Sequence, residues 1–275
     1  MDGFLVGRPA PRLAPFIESY VGYRLLGTAP GLHRGLPSKF ATFIVSIGQP
    51  IEVVRQTDPS QAPDDYRVVL SGLQATEAVI SHDGDQEGVA IELKPAGLKA
   101  LFGTPARELW DATVEMSSVE RAGDELWERV QEAPTWTERF RACDLVLTRL
   151  LGLRSERETR PELVNAWELL AASAGTLPID EVARRVGWSR HYLTRRCRDE
   201  FGLGPKSVAR VMRFERAHGM LGDGDPPAEV AFACGYFDQA HMNRDFVSLS
   251  GLSPARLIAE RRGEVPFFQD AGATV

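Results

Sequence analysis

Residues 179–205, "IDEVARRVGWSRHYLTRRCRDEFGLGP", return in altered form as residues 227–254, "PAEVAFACGYFDQAHMNRDFVSLSGLSP". At an offset of 48, Val182, Ala183 and Gly187 match Val230, Ala231 and Gly235. After one extra residue the offset becomes 49, and Ser189, Leu193, Arg195, Gly202, Leu203 and Pro205 match Asp238, Met242, Arg244, Gly251, Leu252 and Pro254. Self-similarity of this kind marks one structural unit used twice.

Periodicity says which unit it is. Ile179, Val182, Ala183 and Val186 stand at i, i+3, i+4 and i+7, the stripe of a short amphipathic helix, and Gly187 supplies the residue type that accepts a left-handed conformation past a helix end. Ser189 then suits an N-cap, and Leu193, Cys197 and Phe201 form the buried face of a second helix that Gly202 ends. In the second copy Asp238 is the cap, with Met242, Phe246 and Leu249 buried. A short helix, a glycine turn and a capped second helix make a helix-turn-helix. Between the copies "PKSVARVMRFERAHGML" reads as one continuous helix, roughly 25 Å long at 1.5 Å per residue. That span is comparable to the ~34 Å turn of B-DNA, so two second helices fit successive major grooves on one side of a duplex.

The faces left over carry the chemistry. His191, Thr194, Arg195 and Arg198 lie away from the predicted core of the first unit, and His241, Arg244, Asp245 and Ser248 do the same in the second, with Gln239 in its first turn. Arginine bonds bidentately to guanine, glutamine to adenine, and Thr or His bonds to either at base edges. His191, Thr194, Arg195, Gln239, His241 and Arg244 are therefore the candidates for reading bases, and Arg190, Arg196, Lys206 and Arg213 for holding phosphates. A surface His or arginine run is more often merely solvated; the recurrence of Arg195 as Arg244 shifts that balance.

Upstream the pattern is different. From Phe4 to Lys94, short β-type runs such as "KFATFIVSIG", "IEVVRQ", "YRVVLSG" and "GVAIEL" alternate with turn residues, which predicts an antiparallel sheet or small barrel. Residues 95–153 change to helical spacing, with Leu126 and Val130 on one helix, Phe140, Cys143, Leu147 and Leu150 on the next, and a capping box at Thr135 and Glu138. "RSERETRPE", residues 154–162, contains no apolar residue and reads as a linker, placed at 156–162, between an N-terminal part, 1–155, and a helical part, 163–262, with a tail at 263–275. The fold class is α+β: a β-rich, barrel-like domain with a helical hairpin, then an all-α domain.

Composition sets the outer bounds. The chain has 275 residues, long enough for two cores, and its beginning lacks a basic segment followed by an apolar run. No stretch approaches a membrane span, so a cytoplasmic protein with no membrane partner is expected. The net charge of −6 hides a split, because residues 161–262 carry 14 basic and 13 acidic side chains and the acid excess lies elsewhere. Cys143, Cys197 and Cys234 are far apart in apolar helical settings and read as small core residues.

The double motif, the joining helix "RVMRFERA" and the closing "GLSPARL" together resemble the C-terminal DNA-binding domain of the AraC/XylS family of bacterial transcription regulators, over residues 162–262. The resemblance implies double-stranded operator DNA as the partner and the six base-reading candidates as its contacts. Two departures accompany it: Cys197 replaces a larger apolar residue, and "DGDPP", residues 223–227, leaves the opening helix of the second unit short. The order of a β-rich segment and a helix pair resembles, more loosely, the family's cupin-like sensor barrel with its dimerising hairpin. A small-molecule effector, RNA polymerase and a second copy of the chain stay open as further partners.

Within that barrel Tyr20, Tyr23, Phe40, Phe43 and Tyr66 are candidates to line an apolar ligand pocket, against the plainer reading that strand aromatics are core. His33 and His82 stand isolated from each other, short of the ligand set of a metal-dependent cupin, so no metal or other cofactor is expected. No nucleophile elbow, phosphate loop or metal-ligand spacing occurs, so the expectation is no catalytic residues and no enzyme. A regulator sensing a metabolite, a regulator sensing a protein through its N-terminal domain, and an enzyme fused to a DNA-binding module are the classes weighed, in that order.

Overall fold

The computed structural model describes residues 3–153 and 159–263. The first half of the predicted linker, residues 154–158, and the tail from residue 264 lie outside the described residues.

Among the described residues nine strands come first: β1 (Gly3–Gly7), β2 (Ile17–Leu25), β3 (Gly31–Gly35), β4 (Phe43–Ser46), β5 (Ile51–Arg55), β6 (Asp64–Tyr66), β7 (Val68–Ser71), β8 (Ala78–His82) and β9 (Gln86–Leu93), with a tenth, β10 (Thr113–Glu115), later in the chain. They form two antiparallel sheets, one of six strands in the order β1-β2-β9-β4-β7-β10 and one of four in the order β3-β8-β5-β6. Alternation along each strand fills two layers. Val21, Tyr23, Ile44, Val69 and Ala90 of the larger sheet meet Val53, Tyr66 and Ile80 of the smaller one. The intervening residues, Tyr20, Phe43, Val45, Leu70, Val89 and Ile91, face outward onto helices.

Those helices are α1 (Pro95–Phe102), α2 (Met116–Val119), α3 (Ala122–Glu132) and α4 (Trp136–Leu153). Leu126 and Val130 of α3 and Phe140, Cys143, Leu147 and Leu150 of α4 are buried against the sheet, as the sequence spacing predicts. Thr135 makes half of the predicted capping box: its hydroxyl accepts the Glu138 N–H at 3.3 Å and donates to the Glu138 carboxylate at 2.6 Å. One expectation is corrected. Residues 95–153 are not wholly helical, because β10 returns to pair with β7, leaving a 3-10 turn at Ala106–Leu109 between it and α1.

The second part is all helical: α5 (Pro161–Ala172), α6 (Ile179–Arg185), α7 (Arg190–Phe201), α8 (Pro205–Asp223), α9 (Pro227–Ala233), α10 (Gln239–Ser250) and α11 (Pro254–Gly263). Since α5 opens at Pro161 with proline in its first turn, residues 161 and 162 belong to a helix and not to a linker. Thr159, in the same polar stretch, is buried and donates its hydroxyl to Glu200 at 2.9 Å.

Helix α8 is shared between two cores. Its Val208, Ala209 and Met212 pack with Leu193, Cys197 and Phe201 of α7, and its Val211, Phe214, Ala217 and Leu221 pack with Met242, Phe246 and Leu249 of α10. At 19 residues it is roughly 28 Å long, and burial on both flanks fixes how the two units are set against each other.

Candidate nucleic-acid interface

Each unit is built by the same local devices. Gly187 and Gly235 adopt φ of 74° and 71°, the left-handed conformation that turns the chain between α6 and α7 and between α9 and α10. Ser189 accepts the Tyr192 N–H at 3.2 Å, and Asp238 accepts the His241 N–H at 2.6 Å, so both predicted caps are made. Leu193, Cys197 and Phe201 are buried in the first unit, and Met242, Phe246 and Leu249 in the second. The small Cys197 sits in the core that also holds Trp167 and Phe201, whose rings pack edge-on at 5.5 Å. Helices α6 and α9 each have seven residues, so "DGDPP" does not shorten the second unit. It places Gly224 at the end of α8 and prolines at the N-cap and first position of α9.

The outward faces are less uniform than the repeat suggests. His191, Arg195, Gln239 and Arg244 are exposed, and among the described residues neither Arg195 nor Arg244 makes an ion pair. Arg195 lies over the Tyr192 ring at 5.2 Å, which steadies the guanidinium without neutralising it. Thr194 is half-buried and donates its hydroxyl to the Arg190 carbonyl at 2.8 Å, leaving its oxygen to accept. His241 is half-buried; its ring stands edge-on to Tyr236 and its Nδ1 lies 3.4 Å from the Phe237 N–H.

Asp245 does not belong to this face. It is 7% exposed and binds the Arg210 Nε of α8 at 2.8 Å, an ion pair that ties α10 to the shared helix. The placement corrects the sequence reading, which set Asp245 beside Arg244 on the outside.

The phosphate candidates divide similarly. Lys206 is exposed in the first turn of α8, with no ion pair among the described residues. Arg190 is held by Asp180 at 3.1 Å, Arg196 lies 3.7 Å from Asp199, and Arg213 lies over the Tyr236 ring at 5.5 Å. Two aromatics that sequence reasoning did not single out are almost wholly exposed in the second unit: Phe232 at 87% and Phe237 at 92%.

Both units are tied to the barrel. Lys99 of α1 pairs with Glu200 of α7 at 3.0 Å, and Arg107 donates to the Asp199 carbonyl at 2.7 Å. Arg34 of β3 pairs with Glu77 at 3.2 Å and reaches Glu260 and the Ser250 carbonyl of the second unit. Leu73 and Trp110 enter the core of the first unit, and Leu36 that of the second.

Between the sheets lies a cavity of about 510 Å³, lined by Tyr23, Leu36, Ile44, Val53, Val69 and Ile80 together with Ser46, Gln74, His33 and His82. Of the predicted aromatics Tyr23 lines it. Tyr20 and Phe43 face the helices, Tyr66 is buried with its hydroxyl 2.9 Å from Gln56, and Phe40 borders a second cleft of about 370 Å³ between barrel and α8. His33 and His82 are not isolated: antiparallel pairing of β3 and β8 brings their rings to 5.8 Å. Burial holds the His33 pKa down to about 3. Among the described residues no group of three metal-ligating side chains forms around them. No helix among the described residues is long and apolar enough to cross a membrane.

Comparison with known proteins agrees with this arrangement. Residues 182–260 match the model of a helix-turn-helix domain, and residues 6–115 match a domain of unknown function. The chain is 31% identical over 69 residues to YbfI of Bacillus subtilis, an uncharacterised HTH-type transcriptional regulator, a match spanning 25% of each chain. It is 26% identical to a transcriptional regulator with an AraC-type DNA-binding domain from Chromobacterium violaceum, covering 37% of this chain and 92% of that one at a TM-score of 0.35. ToxT of Vibrio cholerae, in complex with (E)-4-(8-methylnaphthalen-1-yl)but-3-enoic acid, shares the fold at a TM-score of 0.51 and 11% identity, over 87% of this chain and 98% of that one. With two capped helix-turn-helix units on one shared helix behind a two-sheet barrel, the chain carries a helix-turn-helix domain over residues 182–260 and shares the fold of ToxT.

Proposed function

We propose that this chain is a sequence-specific DNA-binding regulator of transcription whose two units read adjacent major grooves and whose barrel senses a small molecule. One observation carries the DNA reading: Arg195 and Arg244 occupy equivalent positions on two capped helices, both exposed and both without an ion pair among the described residues. In this reading His191, Thr194, Arg195, Gln239, His241 and Arg244 contact bases, and Lys206, with Arg190, contacts phosphate. Arg196 and Arg213 are the weaker phosphate contacts, since each is partly packed against its own unit. Residues 1–155 are the regulatory part and 163–262 the DNA-binding part. RNA polymerase and a second copy of the chain are the further partners, and the cytoplasm is the compartment where such a regulator meets its operator.

The effector site is the cavity between the sheets. A carboxylate such as the ToxT ligand would meet no Lys or Arg among the described residues that line it, and His33 is held neutral. The lining, which also carries Glu52, Asp65, Asp83, Asp85 and Glu87, suits a largely apolar molecule that is not an anion, with hydrogen-bonding groups for Ser46 and Gln74. Selection of bound sites from a random duplex pool tests the DNA reading; recovery of no preferred sequence refutes it. Thermal denaturation of the full chain with matched neutral and carboxylate compounds tests the sensor, because a ligand bound to the native state raises its stability.

A further inference from the structure

The repeat contains one extra residue, and the structure identifies it. Trp188 and Tyr236 are equivalent: each donates its backbone N–H at 2.9 Å to a carbonyl of the preceding helix, Ala183 and Ala231. In the first unit the cap Ser189 follows Trp188 directly. In the second, Phe237 stands between Tyr236 and the cap Asp238. The inserted residue is thus a phenylalanine, and its side chain is 92% exposed while its neighbours Met242 and Phe246 are fully buried.

Position gives this exposure a meaning. The Phe237 N–H lies 3.4 Å from His241 Nδ1, and Asp238 caps the His241 N–H at 2.6 Å, so the backbone that carries the ring is held by the first turn of α10. The N-terminal end of a recognition helix is the part that meets base edges in the major groove, and Gln239 and Ala240 beside it are exposed too. The thymine C5-methyl is the apolar group that base edges present there.

We infer that Phe237 is a specificity-determining residue that reads a thymine by packing against its C5-methyl, a contact for which the first unit has no residue. The inference rests on the DNA reading above and assigns the second unit a preference for an A·T pair beyond what Gln239 and Arg244 select. Packing against the methyl removes apolar surface of both partners from water.

The test uses the full chain and the site obtained by selection. Each thymine of the second half-site is replaced in turn by deoxyuridine, which deletes only the methyl group. At one position the replacement weakens binding about fourfold, the value of one buried methylene-sized group. In Phe237→Ala that difference vanishes at the same position, while differences elsewhere persist. Phe237→Leu keeps part of it, and Phe232→Ala, equally exposed but on α9, behaves as the unchanged protein. Equal thymine and deoxyuridine binding at every position overturns the inference, as does a uniform loss for all sequences in Phe237→Ala. Unchanged DNA binding with lost activation of RNA polymerase would make Phe237 a protein-docking residue and overturn it as well. Selection of no preferred site would remove the DNA reading and the inference together, whereas a preferred site without a methyl effect removes the inference alone.

Discussion

Arg34, on strand β3 of the barrel, lies 3.1 Å from the Glu260 carboxylate of α11, 226 residues further along the chain. The same guanidinium pairs with Glu77, which Arg55 also approaches at 2.5 Å. A strand of the barrel and the second helical unit therefore share one charged cluster. With Lys99–Glu200 at the first unit, ion pairs tie the barrel to both helical units. A double-mutant cycle of Arg34→Ala and Glu260→Gln, followed by urea denaturation, should return a coupling of about 0.5–1 kcal/mol, as for partly exposed pairs. A coupling of zero would mean that the ion pair does not hold the parts together.

The caps should matter in both units alike. Ser189→Ala and Asp238→Ala each remove the acceptor for a first-turn N–H and should each cost about 1 kcal/mol in chemical denaturation. Asp238→Asn, which keeps an acceptor oxygen, should recover most of that loss.

Asp245 separates a packing role from a reading role. Removing it leaves the Arg210 guanidinium of α8 without its anion in a half-buried setting. Asp245→Ala should therefore destabilise the fold by about 2 kcal/mol. Ser248→Ala, exposed three residues later, should leave the denaturation midpoint unchanged.

At the DNA surface the two kinds of contact respond differently. Arg244→Ala should weaken the preferred site by about 1–3 kcal/mol and relax preference at one base position. Lys206→Ala should weaken all sequences alike and reduce the slope of affinity against salt by about one phosphate contact. Binding isotherms at several salt concentrations, on the selected site and on a scrambled duplex, distinguish the two. An unchanged base preference in Arg244→Ala would remove that residue from the reading face.

His33 predicts an acid sensitivity. Its pKa in the folded protein is held down to about 3 by burial and by the neighbouring His82, against an ordinary value of 6.5. Above 6.5 both folded and unfolded forms are neutral and the residue contributes no pH dependence. As the pH falls from 6.5 toward 3, the unfolded chain takes up the proton first, so stability declines across that window. His33→Gln should flatten that part of the stability profile measured by urea denaturation at successive pH values.

Much of this was legible in the chain itself. Two copies of one pattern, each with an apolar stripe, a glycine turn and a capping residue, determine a helix-turn-helix pair, because helix spacing, caps and left-handed turns are local properties of neighbouring residues. The runs that became β4, β5, β7 and β9 were likewise visible as short β-type runs bounded by turn residues. The less obvious strands lack an apolar β-type run: β3 is "GLHRG", and β10 has three residues inside a region of helical spacing.

What the tertiary structure decided is everything that depends on which distant surfaces meet. Asp245 and Arg244 are adjacent and both charged, so both read as surface candidates, yet Arg210 of α8 pairs with Asp245 while Arg244 has no ion pair among the described residues. Tyr20 and Tyr23 lie on one strand, and only the placement of the second sheet puts Tyr23 on the cavity while Tyr20 turns to the helices. His33 and His82 become neighbours through strand pairing alone. Sequence fixes local geometry because it is set by residues a few positions apart; burial, charge pairing and cavities arise from contacts between segments that the linear chain does not place side by side.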